Sequence, residues 1–236
     1  MGVIVIGVLV DAFAIIAGGL LGSVFKERLT FKNLNVFGIS IMIISIVGFL
    51  ENILGISNMM IKSTNLMIVI FSLISGSFAG EALHIDEKLS NIAFGKRTFG
   101  SCVLDATLFF GVGGLQISGP VLWAVNGDNS QLLLKSIIDF PFALMFGASY
   151  GKSIVLSAIP VAFIQAVIAV IAYFAAALFN ADLMGQICAM GYIVLFFSGF
   201  NLISENKYKI NNTNMIPGIF IVLLFHMMMN MWRVIK

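Results

Sequence analysis

Charge is what this chain has least of. Only 10% of its 236 residues are Asp, Glu, Lys or Arg while 60% are hydrophobic, whereas soluble domains carry about 25% charged and about 45–50% apolar residues. That excludes a water-soluble globule. A net charge of +2, scattered along the chain, excludes nucleic acid as a partner. Cysteine is almost absent: Cys102 and Cys188 each sit in an apolar run without His or Cys neighbours, so neither a zinc site nor a disulfide framework is expected and both read as packing residues. There is no HExxH metal motif, no GxSxG nucleophile elbow, no evident Ser/His pair and no P-loop, which disfavours an intramembrane enzyme and ATP-driven transport by this chain alone. No cofactor is expected beyond a coupling cation or proton.

What the chain does have is long apolar runs. A transmembrane helix needs about 20 such residues, and runs near 2 to 25, 34 to 57, 65 to 84, 101 to 125, 132 to 151, 153 to 179, 182 to 204 and 215 to 233 qualify. The fold class is all-α: a polytopic membrane bundle of about eight spans (seven or eight), forming a single integral membrane domain over residues 1–236. The first run lacks the basic flank and cleavage pattern of a secretory signal and is expected to remain in the mature protein. The longest polar connection, Asp86 to Arg97, places Leu89, Ile92 and Ala93 at helical spacing, as a short surface helix would, although a solvated loop reads equally well. With eight spans, one side holds Lys26, Arg28, Lys32, Lys88, Lys96, Arg97, Lys152, Lys207 and Lys209 and the other Lys62, Arg233 and Lys236. Basic residues are retained in the cytoplasm, which puts both termini outside.

Laying the first three spans on the last three reveals a weak self-similarity. Lys62-Ser-Thr-Asn-Leu-Met-Ile matches Asn211-Asn-Thr-Asn-Met-Ile-Pro, Gly38 to Leu50 matches Gly191 to Leu202, and Asp11-Ala12 falls close to Gln165-Ala166. In the assigned topology these would be inverted three-helix repeats, 1–84 and 153–236, flanking a central helix pair at 100–151. Secondary transporters are often built this way.

Ionisable groups within spans cost about 2.5–3.5 kcal/mol each, so they face protein or water-filled cavities. Asp11 lies mid-span and is followed by Ala17-Gly18-Gly19 and Gly22, small residues that admit a neighbouring helix; it is expected inside, either as a cation or proton ligand or as a packing contact. The stretch from Asp105 to Pro120 holds four glycines and a proline, and is expected to break near Gly111 to Gly119, with Gln116 and Ser118 lining the break. Lys135 and Asp139 stand four residues apart on one helical face with Ser136 between them and Pro141 beyond. They can pair, or act as a gate, or Lys135 can snorkel to water. Gln165, Asn201, His226 and Asn230 are polar positions in the last three spans. His226 could relay protons but more simply packs. Glu51 and Glu81 at span ends are expected to reach interfacial water.

Several stretches resemble one bacterial family of membrane proteins, domain of unknown function 554. These are Met1-Gly2-Val3-Ile4 leading into Asp11 to Gly22, Leu134-Lys-Ser-Ile-Ile-Asp139, Leu156-Ser-Ala-Ile-Pro-Val161 with Gln165, and Asn214-Met-Ile-Pro217. The resemblance covers essentially the whole chain. It implies an integral membrane location and a presumed transport role, with no substrate. At Asp11 the family pattern has Asn, and at Asp105 a small or hydroxyl residue. Both departures add carboxylates.

The leading expectation is a secondary transporter of a small polar or ionic solute in the bacterial cytoplasmic membrane, with Asp11, Asp105, Gln116, Ser118, Lys135, Ser136, Asp139 and Gln165 as substrate- or ion-binding residues. The alternatives are an ion channel lined by the Gly-rich segment and a membrane scaffold without transport. The partners expected are the lipid bilayer and the solute or ion. A homodimer suits so small a unit, though no residue argues for it directly.

Overall fold

The computed structural model describes residues 6–25, 34–57, 60–63, 66–85, 87–88, 99–111, 114–176, 179–204, 208 and 210–235. The described elements run α1 (Ile6–Val24), α2 (Leu34–Ile53), an antiparallel hairpin of β1 (Leu54–Ser57) and β2 (Met60–Ser63), α3 (Leu66–Ala82), α4 (Phe99–Gly111), α5 (Gly114–Asn126), α6 (Ser130–Tyr150), a 3-10 segment (Gly151–Ser157), α7 (Ala158–Phe174), α8 (Ala181–Ile203), a 3-10 turn (Asn212–Met215) and α9 (Pro217–Ile235). The fold is thus a membrane helix bundle, and the small hairpin, with Leu54 opposite Ser63, is the departure from all-helical expectation. The stretches 6–24, 130–174, 181–201 and 212–229 are long and apolar enough to cross a membrane by length and composition. The surface segment expected at Asp86 to Arg97 lies almost wholly outside the described residues.

Local chemistry explains the element ends. Pro217 opens α9 and Pro160 lies in the first turn of α7, where a missing N–H costs nothing. Asn180 caps α8, its side-chain oxygen accepting from Leu183 N at 2.9 Å. Between α5 and α6, Gly127 takes φ +72° and Asp128 Oδ1 accepts from Ser130 N at 2.8 Å, a compact turn. In the Gly-rich span the described helices end at Gly111 and resume at Gly114; residues 112–113, where the expected break would begin, lie outside the described residues. Helix α5 runs unbroken through Gly119 and Pro120, and α6 runs unbroken through Pro141 to its end at Gly151, where φ is +75°.

The chain packs as two compact units: Met1–Asn33 with Glu87–Ala177, and Leu34–Asp86 with Leu178–Lys236. In the first unit α1 lies parallel to α6, the two backbones in near contact. A Cβ at Gly22 would come 1.9 Å from the Leu144 carbonyl oxygen, and one at Gly147 would come 2.3 Å from that of Gly19. Helix α7 runs antiparallel to α1, since Gly19 abuts Ile154 while Asp11 meets Gln165. Lys135 of α6 and Gln165 of α7 touch the same Asp11 oxygen; at about 1.5 Å per residue a straight helix would hold them about 45 Å apart, so the chain reverses through the 3-10 segment. Polarity runs inside out, as a bilayer solvent demands: Asp11 and Gln165 are 0% exposed while Phe13 and Phe163, two residues away on the same helices, are 69% and 68% exposed. An aromatic cluster of Phe109, Phe110, Phe142, Phe146 and Tyr150 joins α4 to α6.

In the second unit α2 pairs antiparallel with α8, Gly48 seating the Tyr192 ring and Gly38 backing Gly199. Helix α3 pairs antiparallel with α9, Gly76 against Gly218 and Phe71 edge-on to Phe225. Cys188 is buried in this unit and Cys102 half-buried in the other.

Candidate functional site

The first unit buries a charge cluster. Asp11 comes from the second turn of α1, whose Gly18, Gly19 and Gly22 further along let α6 and the 3-10 segment approach. Gln131, Lys135 and Asp139 stack at four-residue intervals on one face of α6, the spacing that makes helical neighbours, and all three are buried. The Lys135 ammonium donates to Asp11 Oδ2 at 2.8 Å and also to Asp139 Oδ2. Lys135 is therefore an interior residue, 4% exposed, and not a snorkelling one. One ammonium here serves two carboxylates, and when both are ionised the cluster carries one uncompensated negative charge.

From this cluster a chain of amides leads to α5. Gln165 Nε2 donates to Asp11 Oδ2 at 2.6 Å and to Gln116 Oε1 at 3.0 Å, and Gln116 Nε2 donates to the Val161 carbonyl at 3.2 Å. The order is forced from one end. A main-chain carbonyl can only accept, so Gln116 must turn its nitrogen to Val161 and its oxygen to Gln165, which must answer with its own nitrogen. Gln116 sits in the first turn of α5. Pro120 lacks the N–H that would have bonded the Gln116 carbonyl.

Asp11, Gln116, Lys135, Asp139 and Gln165 thus converge from four helices. Ser118 instead pairs with Gln131, a residue not expected at the site: its hydroxyl donates to Gln131 Oε1 at 2.6 Å. The signal for Gln131 was its position one turn before Lys135. Ser136 is not brought in, because its hydroxyl bonds back to the Leu132 carbonyl at 2.8 Å within its own helix. The Asp105 side chain lies outside the described residues, as does that of Asn230. Two oxygens in the cluster, Asp11 Oδ1 and Gln165 Oε1, are sealed from solvent with no hydrogen-bond donor. Ser72 Oγ, Trp123 Nε1, Asn129 Oδ1 and both amide atoms of Gln186 are sealed in the same way; what marks the two oxygens here is their place beside the charge cluster. Among the described residues no three His, Cys, Asp or Glu gather as a metal would require.

Asn180 and Asn201 of the second unit do structural work. Asn201 clips the chain after α8, donating to the Ile210 carbonyl at 2.7 Å and accepting from Ile210 N at 2.8 Å. Asn180, its oxygen engaged as the α8 cap, turns its amide nitrogen to His226 Nε2 at 2.8 Å, which makes that ring nitrogen an acceptor and places the imidazole proton on Nδ1. Glu51 and Glu81 are exposed, in keeping with span ends.

Residues 6–227 match the family described as "Protein of unknown function (DUF554)". The chain is 25% identical over 220 residues to the "Uncharacterized membrane protein YdfK" of Bacillus subtilis (strain 168), covering 91% of this chain and 93% of that protein. It is 26% identical over 233 residues to the "Uncharacterized protein YqgA" of Escherichia coli (strain K12), covering 93% and 95%. No solved structure matches. A match that takes in the Asp11 cluster, both units and nearly the full length settles the assignment: this chain belongs to the DUF554 family of membrane proteins.

Proposed function

We propose that the chain is a secondary transporter of a small polar or ionic solute, coupled to a cation or proton at the Asp11–Lys135–Asp139 cluster and residing in the bacterial cytoplasmic membrane. One observation supports this above the rest: the sealed cluster has more carboxylates than ammonium groups and retains an acceptor oxygen with no donor. A purely structural ion pair would be expected to balance its charges, since an unpaired charge in a low-dielectric interior costs several kcal/mol. Intramembrane carboxylates facing a bundle interior commonly mark ion pathways and proton relays. The solute is placed beside the cluster because the stretch from Asp105 to Pro120 holds four glycines and a proline, and an interruption there would offer free peptide groups at membrane depth.

The reading includes inverted repeats. Each span of the first three runs antiparallel to its sequence match among the last three: α1 with α7, α2 with α8 and α3 with α9. Asp11 bonds directly to its match Gln165, as residues near a two-fold axis do. The test is flux through proteoliposomes across common ions, amino acids and carboxylic acids. Saturable uptake with counterflow supports the transporter, and electrical current without exchange would replace it with a channel. Neither activity in any of these classes would leave the scaffold as the better account.

A further inference from the structure

We infer that Asp11, rather than Asp139, is the group that takes up and releases the proton, binding it on Oδ1 with Gln165 Oε1 as its acceptor. This rests on the proton-coupled form of the reading above and names the ion and its carrier.

The charge count asks for one monovalent cation: two carboxylates share one ammonium. The unmet hydrogen bonds say where it goes. Asp11 is 0% exposed and its Oδ1 has no donor, whereas Asp139 is 6% exposed and none of its atoms is both sealed and unpartnered. Gln165, also 0% exposed, has its Oε1 in the same condition. The amide nitrogen of that residue already lies 2.6 Å from the other Asp11 oxygen. A carboxylic acid and a primary amide are complementary in this arrangement: the amide N–H donates to one acid oxygen while the acid O–H donates to the amide oxygen. The terminal torsions of Asp and Gln are broad, so rotation about them can bring the acid O–H to the amide oxygen. Protonation adds one O–H bond at Asp11 and removes one unit of negative charge. Lys135 and Asp139 then remain as a neutral pair. A hard cation such as sodium, which takes several oxygen ligands, is a poorer match to two acceptors than a proton, which needs one donor oxygen and one acceptor.

The groups facing Asp11 agree. From α6 come Lys135 and Asp139; from α7 comes Gln165, whose helix has no ionisable residue besides the exposed Tyr173; Lys152 of the 3-10 segment is exposed. Helix α5 has no ionisable residue at all. It acts through Gln116, whose bond to the Val161 carbonyl keeps the Gln165 amide turned with its nitrogen to Asp11. Gln116 is thus a positioning residue, and displacement of α5 would free Gln165 to rotate.

Infrared difference spectra of the full-length protein in nanodiscs, taken between alkaline and acid pH, test the assignment by the carbonyl stretch of a protonated carboxylic acid. The band is expected in the parent and in Asp139→Asn, and lost in Asp11→Asn. In Gln165→Leu it should move to higher frequency, because the acid carbonyl loses its donor; this variant keeps the test sound should Asp11→Asn fail to fold. A band lost in Asp139→Asn and kept in Asp11→Asn overturns the inference, as does the absence of any band, its failure to move in Gln165→Leu, or its removal by sodium at fixed pH. The predicted band pattern in a protein that moves no solute would uphold the proton site and overturn only the transport reading.

Discussion

Lys135 and Asp11, 124 residues apart in sequence, meet at 2.8 Å in the interior of the first unit. The same ammonium holds Asp139 one turn along its own helix, so a single residue ties α1 to α6. Removing one partner of a buried pair in a globular interior costs about 3–5 kcal/mol, because the other charge is stranded. Lys135→Met is therefore expected to lower the thermal midpoint strongly, leaving two carboxylates unneutralised. Adding Asp139→Asn should recover part of the loss, and adding Asp11→Asn more. Thermal-shift measurements on the series in detergent check the order; equal stability of Lys135→Met and the parent would mean the pair contributes nothing.

Transport, if proton-driven, should depend on the same cluster. Asp11→Asn preserves size and the ability to meet Gln165, so the protein is expected to fold while uptake loses its response to an imposed pH gradient. Uptake assays with the gradient imposed and collapsed measure this. A variant that still accumulates solute against its gradient would remove Asp11 from the coupling step.

Gln116→Leu breaks the amide chain at its origin, leaving Gln165 free to turn over. The expected outcome is a displaced pH profile of uptake, rather than its loss, because the charged residues stay in place. Gln116→Glu provides a second comparison, since it retains an oxygen acceptor for Gln165 but loses the donor to Val161. An unchanged profile in both would show that the amide order has no bearing on protonation.

Close backbone approach makes a separate claim on stability. Overpacking a tight interior costs about 1–3 kcal/mol, and more where the clash is with backbone that cannot swing aside. Gly22→Ala should therefore destabilise more than Gly111→Ala, whose nearest neighbour to a Cβ is the end of the Ile164 side chain at 3.5 Å. Paired unfolding curves decide it, and reversal of the order would contradict the α1 to α6 packing.

In the second unit, Asn180→Ala removes both the α8 cap and a partner of His226. Loss of an N-cap costs about 0.5–2 kcal/mol, and Asn180→Asp should restore most of it, since the cap needs only an oxygen acceptor. Thermal midpoints of the two variants test whether the cap or the histidine contact carries the larger share.

Much of the architecture was written along the chain. Lipid as solvent requires each span to be apolar and helical, so the helical membrane bundle could be read from composition and spacing. Residues on one helix were equally legible: Lys135 and Asp139 lie four apart, and any α-helix makes them neighbours. Tertiary packing alone decided that Asp11 is their third member, that Gln165 and Gln116 extend the cluster to α5, that Ser136 turns back into its own helix and that Lys135 is buried. Those facts depend on which faces of different helices meet. Small residues such as Gly19, Gly22 and Gly147 permit close approach without naming the partner, so the cluster becomes visible only once the helices are packed.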